Sequence, residues 1–106
     1  ISVKGEFANK PALLVGVSAS INGVYPITQL RINSGKNTFI NYIPQHVIVR
    51  NVESVMNDFN LVTDENDKLI RDRLEYSLKI LEVYAKAFIK IRNSEIIKQT
   101  PFQFGM

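Results

Sequence analysis

No cysteine occurs among the 106 residues, so disulfides and thiolate metal sites are excluded. An intracellular, cytoplasmic setting is expected on that ground. No apolar run is long enough to cross a bilayer, and no basic start leads into an apolar stretch with a small-residue cleavage site. A membrane partner is therefore not expected. The chain opens on Ile1 rather than Met, as a processed or cut chain does. Histidine occurs once, as His46, with no nucleophile-and-base pattern around it; it reads as the start of a strand. Dense charge is lacking too. The net charge is +3, and Lys79, Lys86, Lys90, Arg92 and Lys98 are dispersed towards the end of a long helical pattern. There they suit the helix dipole and a solvated face, and a nucleic-acid partner is not expected.

What is present is the composition of an ordinary globular chain, 45% hydrophobic and 22% charged. At this length it makes one domain or part of one. Ile1 to Asn9 reads as a lead-in, after which Ala12 to Val17 forms an apolar run too short for a helix and rich in Leu and Val. That run predicts a strand buried on both faces. It stops in Ser18-Ala19-Ser20-Ile21-Asn22-Gly23. Tyr25, preceding a proline, is biased towards extended backbone, and Pro26 suits a first helical turn. A strand, a small polar loop and a helix start form the unit that α/β proteins place at the carboxyl edge of a parallel sheet, where ligands bind.

Ile27, Leu30 and Ile32 give the helix its apolar stripe. Asn33-Ser34-Gly35-Lys36-Asn37-Thr38 then interrupts it, since Gly, Ser and Asn disfavour a helix interior. Either the helix ends near Ser34, the reading preferred, or it bends and resumes through Phe39, Ile40 and Ile43. Pro44 stops whatever helix remains, and His46 to Arg50 predicts a second, β-branched strand. Between Asn51 and Asn60, Val52, Val55, Met56 and Phe59 are available to tuck beneath the sheet edge. Asp64, Glu65 and Asp67 favour a helix N-terminus; they lack the spacing and glycine of a calcium loop. From Lys68 to about Arg92 a long helix is predicted, with Leu69, Leu74, Leu78, Leu81, Ala85, Phe88 and Ile91 inward. Arg71, Asp72, Glu75, Lys79, Glu82, Lys86 and Lys90 supply its wet side. Asn93 to Met106 reads as a tail that is flexible or docks on a partner.

The order is strand, helix, strand, helix, an α/β arrangement. Two strands that look apolar on both faces have only two helices to cover them, and a two-stranded sheet is marginal in water. Half of a doubly wound domain is the natural reading, with a homo-oligomer or a missing N-terminal half as the partner. Ser18 and Ser20 lack a nucleophile elbow, so acyl chemistry is not expected. Tyr25 either stacks on a ligand ring or packs.

The segment Lys10-Pro11-Ala12-Leu13-Leu14-Val15-Gly16-Val17-Ser18 resembles the fourth strand of the NAD(P)H-dependent FMN reductase family. Gln29-Leu30-Arg31 is similar to the helix that follows. Tyr42-Ile43-Pro44-Gln45 with Val47 to Val49 resembles the approach to the fifth strand, and the resemblance runs from about Gly5 to Phe88. It implies the C-terminal half of a flavodoxin-like doubly wound parallel sheet, a partial domain over residues 1–106. The resemblance further implies that Ser18, Ala19, Ser20, Asn22 and Gly23, with Tyr25 beside them, lie against the flavin ring. The family's phosphate loop and its Tyr/Asn/Pro-Gly segment have no counterpart here, and Ile1 to Gly5 looks like the sequence just past the latter. The parent protein is thus expected to bind FMN, take NAD(P)H as co-substrate and pass hydride to quinone, azo, metal-ion or flavin acceptors. This chain alone is expected to be inactive. The alternative is an assembly module without chemistry, pairing with a missing half or with itself.

Overall fold

A computed structural model describes residues 5–35 and 37–104. The readings of Ile1 to Lys4, of Lys36 and of the last two residues of the tail lie outside the described residues. The elements in chain order are β1 (Pro11–Val17), α1 (Val24–Asn33), β2 (Asn41–Val49), a 3-10 turn (Val52–Ser54), α2 (Glu65–Arg92) and the short α3 (Glu95–Lys98). The two strands pair in parallel, so the architecture is α/β.

Strand β2 begins earlier than the sequence predicts and contains Pro44 rather than following it. Proline removes a ladder donor, and it is tolerated here because it sits in a bulge. Ala12 faces Tyr42 and Leu14 faces His46, so β1 places Leu13 where β2 places Ile43, Pro44 and Gln45. Arg31 reaches across from α1 and donates from Nη2 to the carbonyls of Ile43 (2.9 Å) and Pro44 (3.4 Å). Its guanidinium also lies over the Tyr42 ring. Helix α1 stops at Asn33 and does not resume: the Ser34 N–H and hydroxyl both donate to the Leu30 carbonyl, closing the last turn.

Residues paired across parallel strands share a face. Val15 with Val47 and Val17 with Val49 lie on one side; Gly16 with Ile48 lies on the other. The first side carries the core: Val47, Val49, Val55 and Ile70 are buried together, with Val52 and Leu74 packed against them. Helix α2 covers β2 more fully than β1, leaving Val15 and Val17 exposed. The second side carries α1, of whose predicted stripe only Ile27 is buried; Leu30 and Ile32 face out.

The long helix is rotated and longer than its leucine pattern suggests. Asp67, Ile70 and Ser77 are its buried residues, while Leu69, Leu78, Ala85 and Ile91 are exposed. Its start moves back to Glu65 because Asp64, in extended backbone, accepts a hydrogen bond from the Asp67 N–H (2.8 Å). At the other end Arg92 donates to the Asn9 carbonyl and ties the helix to the lead-in turn. Of the four apolar residues expected beneath the sheet edge, Val55 is buried and Val52 half-buried. Met56 is exposed and Phe59 is 95% exposed.

The molecule measures 52 × 25 × 18 Å with a radius of gyration of 16.6 Å. A compact chain of this length has a radius near ~13 Å. Its accessible surface is 7820 Å², whereas a folded monomer of this mass exposes about 6,000 Å². The excess is apolar in part, and Val15, Val17, Leu78 and Val83 contribute to it. Among the described residues no helix is long and apolar enough to cross a membrane.

Candidate functional site

The loop after β1 is built against the loop after β2. The Ser18 N–H donates to the Val49 carbonyl (2.9 Å), the Val52 N–H to the Ser18 carbonyl (3.1 Å), and the Asn51 N–H to the Ser20 carbonyl (3.0 Å). Asn51 takes a left-handed backbone, φ 50°, to make that last bond, a conformation asparagine tolerates better than most residues. The Ser18 hydroxyl then closes the loop on itself, close to the carbonyls of Ser20 (2.6 Å) and Asn22 (3.1 Å). Its single proton is thereby engaged within the loop.

Gly23 ends the loop at φ +112°, a left-handed conformation that favours glycine, and caps α1. A Cβ there would stand 2.8 Å from Ile48 Cγ2. Gly16 is needed for the same junction, because a Cβ on it would lie 2.5 Å from the Gly23 carbonyl oxygen and 3.2 Å from Ile27 Cδ1. The two glycines let the helix start sit directly on the strand.

Of the residues singled out from the sequence, Ser18 and Gly23 therefore turn inward and shape the loop. Ala19, Ser20 and Asn22 are exposed, and Tyr25 is 79% exposed, standing out from the first turn of α1. Between them Ile21, outside the predicted set, is 70% exposed. The carboxyl edge of β1 thus presents two largely apolar side chains and two small polar ones around a helix start that has no side-chain cap. No side chain caps α1, and no acid occupies its first turn. Pro26 removes one of the N–H groups that turn would otherwise offer.

The acidic cluster is a structural knot. Asp67 is fully buried and accepts from the N–H groups of Met56 (2.8 Å) and Thr63 (3.0 Å) and from Arg71 Nε (2.9 Å). Arg71 extends the knot to the carbonyls of Asp58, Phe59 and Leu61. The Arg71 hydrogen bond, then those from the backbone, hold the Asp67 carboxyl well below the usual carboxylate range, against the opposing effect of burial. Arg71 accordingly leaves the wet side assigned to it. Both groups fix the segment between β2 and α2, and Met56 is held there at φ 56°. Among the described residues no group of His, Asp and Glu converges as a metal site. His46 lies within β2, on its exposed side.

No family model, no curated protein and no solved structure matches this chain.

Proposed function

We propose that this chain is the C-terminal half of a flavodoxin-like domain in an NAD(P)H-dependent FMN reductase, and that its β1–α1 loop lies against the flavin ring. The observation that carries this reading is the braced loop at the carboxyl edge of a parallel strand, exposing Ser20, Ile21, Asn22 and Tyr25 together. A flat ring needs rigid backbone beneath it, apolar and aromatic side chains for its faces, and hydrogen-bond groups at its polar rim. Ile21 and Tyr25 suit the faces. Ser20 and Asn22 suit the rim, and the uncapped N–H groups of α1 suit a ring carbonyl. Ser18 and Gly23 serve by shaping the loop.

Flavin supplies the hydride chemistry when bound: hydride arrives from a nicotinamide and leaves for a small acceptor. The loop's contribution is to orient the ring and exclude water from one side, which needs no acid–base residue. The test is to purify the intact gene product and record its visible spectrum and its oxidation of NAD(P)H. Flavin bands with nicotinamide oxidation support the reading; a colourless product that FMN does not reconstitute contradicts it.

A second reading, an assembly module without chemistry, is favoured by the surface of 7820 Å² against about 6,000 Å² for a compact monomer. The outer edge of β1 is unpaired among the described residues, and Ala12 to Val17 carry no charge that would discourage pairing. Sedimentation separates this reading from a self-sufficient fold: a stable, compact monomer contradicts it.

A further inference from the structure

The end of β2 and the first turns of α2 border an open cleft of about 320 Å³. Arg50, Arg73, His46 and Asn66 line it, with Leu69 and Ile70 forming an apolar wall; among the described residues no Asp or Glu and no β1 residue borders it. Arg50 and Arg73, both exposed, thus border one cleft with no acidic residue among its described lining. Elsewhere the described arginines are engaged: Arg31 on the bulge carbonyls, Arg71 on Asp67, Arg92 on the Asn9 carbonyl. The lysines of α2 at positions 68, 79 and 86 pair with Asp72, Glu75 and Glu82. Asp72, next to Arg73, is thereby already committed to Lys68. Arg50 and Arg73 are the described arginines whose side chains make no hydrogen bond or ion pair.

We propose that this cleft binds the phosphate of a small phosphomonoester, with the two guanidiniums as its clamp, independently of the flavin reading. Arginine forks match the planar spacing of phosphate oxygens and bind them bidentately. Two forks with an imidazole and an amide beside them offer more donors than the two oxygens of a carboxylate accept, whereas a phosphomonoester brings three oxygens and nearly two charges. The wall of Leu69 and Ile70 takes a compact apolar body. A nucleic-acid backbone fits less well: among the described residues no Phe, Tyr or Trp borders the cleft as a broad platform for base stacking.

The test titrates phenyl phosphate into the 106-residue chain, following Arg Nε–H resonances and calorimetric affinity, with benzoate as the carboxylate probe and Arg50→Gln, Arg73→Gln, the double variant and Lys79→Gln as proteins. Saturable binding that shifts the Arg50 and Arg73 resonances is expected, weakened about tenfold by each single substitution and about a hundredfold by both. Lys79→Gln is expected to bind as the unaltered chain does. Benzoate binding as tightly as phenyl phosphate overturns the assignment. So does an equal loss in Lys79→Gln, or a set of shifted resonances that omits both arginines. The wild-type resonances decide the matter even if a variant folds poorly.

Discussion

Substituting Gly16 by alanine probes the junction on which the candidate site is built. The added methyl would stand 2.5 Å from the Gly23 carbonyl oxygen, a separation real Cβ atoms do not show. The obstacle is backbone, so no side chain can swing aside to relieve it. Gly23 has little freedom of its own, being held at φ +112° with Ile48 against it, and Ile27 Cδ1 and Cγ1 close the remaining space at 3.2 and 3.4 Å. Overpacking of this kind costs about 1–3 kcal/mol, and a backbone clash belongs at the upper end. For a domain of this size each kcal/mol lowers Tm by about 4–8 °C. Gly35→Ala is the control, since a Cβ there meets nothing within 4 Å; it is expected to stay within about 0.5 kcal/mol of wild type. Urea unfolding followed by circular dichroism measures both. If Gly16→Ala unfolds at the same midpoint as Gly35→Ala, the direct seating of α1 on β1 is refuted, and with it the shape of the loop.

Arg31→Met keeps much of the side chain's length but strips the donors from the bulge carbonyls of Ile43 and Pro44. A loss of about 1–3 kcal/mol is expected by urea unfolding, and an unchanged midpoint would show that the bulge does not depend on them. Asp67 carries a depressed pKa in the folded state, so below the ordinary aspartate range near ~4 the unfolded chain binds the extra proton first. Its stabilisation is complete above that range and is lost as pH falls towards the folded-state value. Asp67→Asn is therefore expected to be less stable at neutral pH and to lose less on acidification; parallel curves from pH 5 to pH 2 would contradict the knot.

Much of the fold could be read from the residues, and the failures have identifiable causes. The run from Ala12 to Val17 announces a strand because nothing polar interrupts it. The end of α1 is legible in Ser34 and Gly35. The start of β2 is hidden because Pro44 ordinarily stops an element, whereas here it sits in a bulge whose carbonyls take hydrogen bonds from Arg31, outside the strand. The leucine spacing of α2 points away from its true inward face, to which Asp67, Arg71 and Ser77 turn. The first two do so through a polar network whose partners lie in the preceding loop. At the loop, residue type identified the segment but not which groups remain available: Ser18 satisfies its neighbours' carbonyls, while Ile21 stands exposed beside Tyr25. Arg50 follows β2 and Arg73 lies on α2, and they share no motif, so their place on one cleft is visible only in three dimensions.

The most direct measurement is the visible absorption spectrum of the intact gene product beside its Asn22→Ala/Tyr25→Ala variant, each after incubation with FMN and removal of the excess. Both side chains are exposed, and among the described residues neither makes a side-chain hydrogen bond, so the variant is expected to fold normally by circular dichroism. A ring held against the β1–α1 loop predicts retained flavin bands in the unaltered protein and bands reduced about tenfold or more in the variant, as for the loss of a hydrogen bond and an aromatic contact. Equal bands in the two proteins would contradict the assignment of the ring to this loop, and bands in neither would contradict flavin binding itself.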